Sequence, residues 1–210
     1  MSDCGCQLSP VNQEQRRVLW ILLGLNLAMF VGSIVTGWLA GSTALLADAL
    51  DNFADAGVFA LSLYAIGKSE LQKIRAAFFS GIFQITLGAL VILKVVERFW
   101  AGETPQWHLM IAMAIVAILV NSYCVILLAK HRYQGVHLQA SWIFLNNDVI
   151  ANAGIVVAGI LVQWTNSYLP DLLMGSIITA VEVGGGIKIL RGVQTAQQAY
   201  LKQLNETKDS

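Results

Sequence analysis

Residues 45–57, LLADALDNFADAG, place three aspartates inside a run apolar enough to cross a membrane. At about 100° per residue, Asp48, Asp51 and Asp55 fall within an arc of about 60° on one helix, with Asn52 beside them. A charged residue at the centre of a membrane helix costs about 2.5–3.5 kcal/mol on the insertion scale, so three approach ~10 kcal/mol. A cost of that size implies a polar destination that faces inward. A second stripe lies in LQASWIFLNNDVIANAG, residues 138–154. Ser141, Phe144, Asp148 and Asn152 share one helical face there, with Asn147 at its edge.

Depth brings the two stripes together. With the aspartate-bearing helix running inward, Asp51 and Asp55 lie about 12–18 Å below its outer end. The later helix runs outward and carries Asp148 about 15 Å above its inner end. Both values fall near the middle of a core about 30 Å thick. Three convergent carboxylates repel one another, and an acid in apolar surroundings tends to take up a proton. A divalent cation removes both difficulties, and oxygens at i and i+4 plus one from a facing helix form a plausible cage. Exchange of metal for protons at such a site is the chemistry of an antiporter, and a midplane position suits alternating access. Asp48, Asn147 and Asn152 are candidate additional ligands. So is Glu182, which lies about 15 Å into the last apolar run and is alternatively a separate proton carrier.

The elements that position these groups follow from hydropathy. Of 210 residues, 56% are hydrophobic and 12% charged, about half the charge of a soluble domain. Six apolar stretches, approximately 18–40, 43–66, 76–99, 108–129, 138–162 and 172–190, each approach the ~20 residues that span the hydrocarbon core. The sequence therefore predicts an all-α membrane protein with six transmembrane helices. Arg16 and Arg17, Lys68, Lys73 and Arg75, Lys130 and Arg132, and Lys188, Arg191, Lys202 and Lys208 all fall at one set of ends. That bias predicts that both termini are cytoplasmic. Residues 1–15 then form a cytoplasmic tail, 16–192 the transport domain, and 193–210 a short solvated cytoplasmic tail. Thirteen basic and thirteen acidic residues leave no net charge for nucleic-acid binding.

These residues resemble the cation diffusion facilitator family, efflux transporters for zinc and related divalent metals. GSTALLADALDNFAD is similar to the family's second-helix signature, with Asp51 and Asp55 at its two ligand positions. Asn121, in ILVNSY, matches the fourth-helix asparagine, and Asp148 ends a segment similar to the fifth-helix H-x-x-x-D. The resemblance covers about residues 15–192. It implies a metal/proton antiporter of the zinc, cadmium, cobalt, iron or manganese class, in a bacterial inner membrane. Metal and protons are its cargo, with no further cofactor. Two departures stand out. Phe144 occupies the usual histidine position, which leaves an oxygen-rich site more tolerant of harder ions. The cytoplasmic metallochaperone-like domain that follows the sixth helix in many members has no counterpart here, so a homodimer would rest on membrane helices.

One rival is an intramembrane, Mg²⁺-dependent prenyltransferase-like enzyme that uses the D-x-x-D-x-x-x-D run at 48–55. That chemistry asks for a second acidic motif and for basic residues near a diphosphate, and no Lys or Arg lies at that depth. The protein is therefore read as a transporter rather than an enzyme. Cys4 and Cys6 make an incomplete thiol site. His131 and His137 lie too far from Phe144 to replace the missing imidazole, and Cys124 reads as packing.

Overall fold

The computed structural model describes residues 10–65, 70–130 and 136–206. They form six α-helices: α1 (Pro10–Ala40), α2 (Thr43–Ala65), α3 (Glu70–Ala101), α4 (Trp107–Ala129), α5 (Val136–Thr165) and α6 (Leu169–Glu206). No strand occurs among the described residues. Five of the helices are long and apolar enough to cross a membrane. The exception is α2, which has the same 23-residue length as α4 but carries the three aspartates.

The packing explains how α2 is tolerated. Among the described residues it is the one helix in contact with all five others. Ala44, Leu45, Ala47, Ala49, Leu50 and Ala56 are buried along it, and their mostly small side chains let its neighbours approach. The outer helices carry the exposed large apolar groups, among them Phe79, Leu93, Leu119, Ile126 and Ile150. Trp38, Trp100, Trp107 and Trp164 are exposed near helix ends, where amphipathic rings favour the membrane interface. A polar helix has been surrounded by helices that can meet lipid.

The two ends of the bundle differ. On one side the connections 41–42, 102–106 and 166–168 are short, and each contains one residue in the left-handed region. Gly41 (φ 62°), Gly102 (φ 64°) and Asn166 (φ 50°) reverse the chain just past a helix end. Gly41 has a second constraint, because a Cβ there would run into the Arg98 guanidinium. Arg98 Nη1 is in turn paired with Glu103 at 2.7 Å, and Lys94 with Glu97 at 2.7 Å.

On the other side the helices extend further. The sequence expectation for the sixth was a span over 172–190 and a solvated tail from 193. In the structure α6 runs 38 residues, about 57 Å, which exceeds a ~30 Å core, so the helix continues past that span. Hydropathy marks the stretch that lipid can cover, whereas the Gln, Ala, Lys and Leu residues of 193–206 are ordinary helix formers. The rest of the tails, Cys4, Cys6 and His131 lie outside the described residues, as do the side chains of His137 and Phe144.

Two apolar layers close the bundle. One contains Ala44, Leu45, Leu50, Met110, Ala114, Ile155, Val162 and Ile178, near the short connections. The other contains Leu19, Leu22, Phe59, Cys124, Leu128 and Leu145, toward the extended ends. The polar residues of α1, α2, α4 and α5 lie between them.

Candidate carboxylate site

Asp48 is the most enclosed of the three α2 aspartates, at 1% exposure. Its Oδ2 accepts from Ser33 Oγ of α1 at 2.7 Å and from Asn52 Nδ2 at 3.2 Å. Its Oδ1 accepts from Asn152 Nδ2 of α5 at 2.8 Å. Both oxygens are thus used, and three helices are tied together at one level. Asp48 and Asn152 were expected as candidate ligands. The structure places both in this internal network, because Asn152 turns its amide toward Asp48.

Asp51 and Asp55 point to a different group of residues. The Asp148 carboxyl of α5 stands within hydrogen-bonding reach of both of theirs. The Glu182 carboxyl of α6 stands equally near that of Asp51. Carboxyl groups this close repel one another when ionised and attract only when a proton lies between them. The acids at 51, 55 and 148 are 9, 8 and 7% exposed, slightly more open than Asp48. Among the described residues, Asp55 Oδ2 accepts no hydrogen bond from any hydroxyl, amide or backbone donor. Among the described residues, no three His, Cys, Asp or Glu side chains already stand in an arrangement that could hold a metal ion.

Glu182 was read either as a fourth carboxylate beside this group or as a separate proton carrier. It lies beside the group. Its Oε2 also accepts from Gln84 Nε2 of α3 at 2.8 Å, and the same amide reaches the Glu182 carbonyl at 3.0 Å. Gln84 lines a cavity of about 500 Å³ whose walls include Phe53, Phe79 and Phe83. Asn147, by contrast, is exposed. It sits about 100° around α5 from Asp148, which turns it away from the acids.

One buried carboxylate was not singled out from sequence. Asp171, in the first turn of α6, is 3% exposed and caps the start of α2. Its Oδ1 accepts from Ser42 Oγ at 2.5 Å and from the Ala44 N–H at 3.1 Å. Its Oδ2 accepts from the Thr43 N–H and Thr43 Oγ1, each at 2.8 Å. A negative charge at a helix N-terminus satisfies unpaired donors and complements the helix dipole. The approach is so close that a Cβ on Gly175 would stand 2.7 Å from the Thr43 carbonyl carbon. The Ser42–Thr43 start of α2 and its capping carboxylate lie 128 residues apart in the chain, so no local pattern joins them.

A six-helix bundle that shields carboxylates from two helices at mid-depth is the architecture of a membrane transport domain. The chain belongs to the cation efflux family: residues 19–192 match its transmembrane domain. This bears out the resemblance to cation diffusion facilitators and makes the chain an integral membrane protein. It also sets aside the prenyltransferase-like alternative. Among curated proteins, the chain is 23% identical over 195 residues to the zinc transporter ZitB of Escherichia coli (strain K12), covering 87% of this chain and 62% of ZitB. It is 23% identical over 221 residues to the mouse proton-coupled zinc antiporter SLC30A2, covering 91% of this chain and 59% of that protein. It is 24% identical over 199 residues to the mouse probable proton-coupled zinc antiporter SLC30A3, at 95% and 46% coverage. The chain therefore spans about six-tenths or less of the length of these relatives.

Proposed function

We propose that the protein exports a divalent metal cation in exchange for protons, by alternating access around Asp51, Asp55 and Asp148. The observation that carries this reading is the meeting of Asp148 with Asp51 and Asp55, from two different helices, between two apolar layers. In the metal-free state of this cycle, protons bridge the carboxyl groups. Entry of a cation would displace those protons and draw the oxygens around itself, and its departure would restore the bridges. Coupling then follows from competition for the same oxygens. Glu182, near Asp51, adds a further carboxyl group beside the three aspartates.

The cargo belongs to the zinc, cadmium, cobalt, iron and manganese class. The relatives named for zinc and for proton coupling support that class. The setting is a bacterial inner membrane with both termini cytoplasmic, a topology supported by the one-sided distribution of Lys and Arg.

Proteoliposomes loaded with a metal-sensitive dye and a pH dye test this directly. Adding Zn²⁺, Cd²⁺, Co²⁺, Mn²⁺ or Fe²⁺ outside should produce metal entry with opposing proton flux for at least one ion. Asp51→Asn should abolish the coupled flux, and full retention would remove Asp51 from the site. Labelling of cysteines introduced at each terminus of the chain in intact cells reports the topology.

A further inference from the structure

Two asparagines stand at the level of the carboxylates with polar atoms that nothing satisfies. Asn26 on α1 and Asn121 on α4 are each 1% exposed. Asn26 Nδ2 donates to the Leu22 carbonyl of its own helix at 2.9 Å, but its Oδ1 has no partner. Neither the oxygen nor the nitrogen of the Asn121 amide has one. A buried polar group left unpaired costs about 1–3 kcal/mol, and a membrane interior offers little water to relieve it. Amides kept under those conditions require an explanation.

Their depth can be read from contacts. Ser33 of α1 bonds Asp48 of α2, and seven residues further along each helix stand Asn26 and Asp55. Asn152 of α5 bonds the same Asp48, and four residues away on α5 is Asp148. A Cβ on Gly32 of α1 would meet Met113 of α4, and one on Gly159 of α5 would meet Ile111. Counted from those contacts, Asn121 falls within about 10 Å in depth of Asn26, Asp55 and Asp148. The apolar layer beneath provides the facing. Leu22, Phe59, Cys124 and Leu145 pack together there, and each is one turn along its own helix from Asn26, Asp55, Asn121 and Asp148 respectively. Residues one turn apart share a helical face. All four oxygen-bearing side chains therefore face the same interior, one layer above a shared plug. The unpartnered Asp55 Oδ2 is in that layer too.

We propose that the side-chain oxygens of Asn26 and Asn121 complete the coordination shell of the cation held by Asp51, Asp55 and Asp148. The result is an all-oxygen shell drawn from four helices. This rests on the reading of the three aspartates as cargo ligands and adds the identity of the remaining donors. It also narrows the substrate. Oxygen-only shells with more than four donors suit harder ions such as Mn²⁺, whereas Zn²⁺ favours tetrahedral sites with nitrogen or sulfur. Phe144 brings no donor, and Cys124 belongs to the apolar plug. The cargo expected is thus harder than the one in the names of the zinc-transporting relatives.

The test uses the chain in lipid nanodiscs with Mn²⁺ alone as the probe. X-ray absorption at the Mn edge counts and identifies neighbours, and titration gives affinity. Wild type should have oxygen neighbours only. Asn26→Leu and Asn121→Leu should each weaken Mn²⁺ binding by about tenfold or more and lower the oxygen count. Cys124→Ala should change neither. A sulfur neighbour, or unchanged affinity and oxygen count in both leucine variants, overturns the proposal. Should the leucine variants not fold, Asn121→Asp decides: a carboxylate inside the shell tightens Mn²⁺ binding, and one outside it leaves affinity unchanged and sinks the idea. Asp148→Asn separates the two levels of the argument. If it binds Mn²⁺ like wild type, the aspartate site itself fails. If it loses binding while the asparagine variants keep it, the three aspartates stand and the asparagines are removed.

Discussion

Two groups of buried carboxylates sit within the same bundle and are treated in opposite ways. Asp171 and Asp48 are saturated: every side-chain oxygen accepts a hydrogen bond from a neutral donor on another helix or a helix end. Asp51, Asp55 and Asp148 face one another, and one of their oxygens has no partner. Saturation fixes geometry, since moving either partner would strand a buried donor or acceptor. Incomplete satisfaction leaves oxygens free to change partners, which is what capture and release of a cation require. Burial alone therefore does not distinguish a strut from a ligand; the identity of the hydrogen-bond partner does.

The contrast can be broken most severely at the facing acids. Asp148→Asn should remove transport by more than the about 10–100-fold that supporting residues typically cost. Its thermal midpoint in detergent should be unchanged or higher, because the substitution leaves fewer like charges. Unfolding of that variant would show Asp148 to be a strut. Asp171→Ala should do the reverse. Each of the donors it strands costs about 1–3 kcal/mol, so the thermal midpoint should fall while metal affinity of the folded fraction persists. Lost affinity with an unchanged midpoint would place Asp171 in the transport machinery.

Smaller effects sharpen the same distinction. Asp48→Asn preserves the shape of the side chain but exchanges one acceptor for a donor facing donors. A stability loss of about 1–3 kcal/mol is expected, with metal binding retained. Abolished binding with normal stability would move Asp48 into the site. The mildest change is Phe144→His, which restores an imidazole at the family's usual position. A shift of preference from Mn²⁺ toward Zn²⁺ in the dye assay is expected, and identical selectivity would count against an oxygen-based shell.

Much of this was legible in the chain. The three α2 aspartates at helical spacing announced an inward-facing stripe, and rise per residue placed Asp148 at their depth before any contact was known. Both inferences need only helix geometry and the thickness of lipid. The division of labour among the acids was not legible, since Asp48, Asp51 and Asp55 share one arc and differ only in what the other helices present to them. Asn147 and Asn152 carried the same chemistry in one stripe, and about 140° around the helix separates an exposed amide from a buried one. Nor did hydropathy see that α6 continues to Glu206, because it reports solvent preference and not backbone conformation.

The sequence by itself determined six apolar helices, the cost of three acids among them and the level at which a fourth meets them. Those are local properties, set by side-chain chemistry and the period of the helix. Only the tertiary structure decided that α2 stands at the centre, that Asp171 of α6 closes its N-terminus and that Asn26 and Asn121 are buried with amide atoms unpaired. Each of these joins residues far apart in the chain. Which donor meets which acceptor is settled by how helices pack, and the order of residues along a single helix does not contain it.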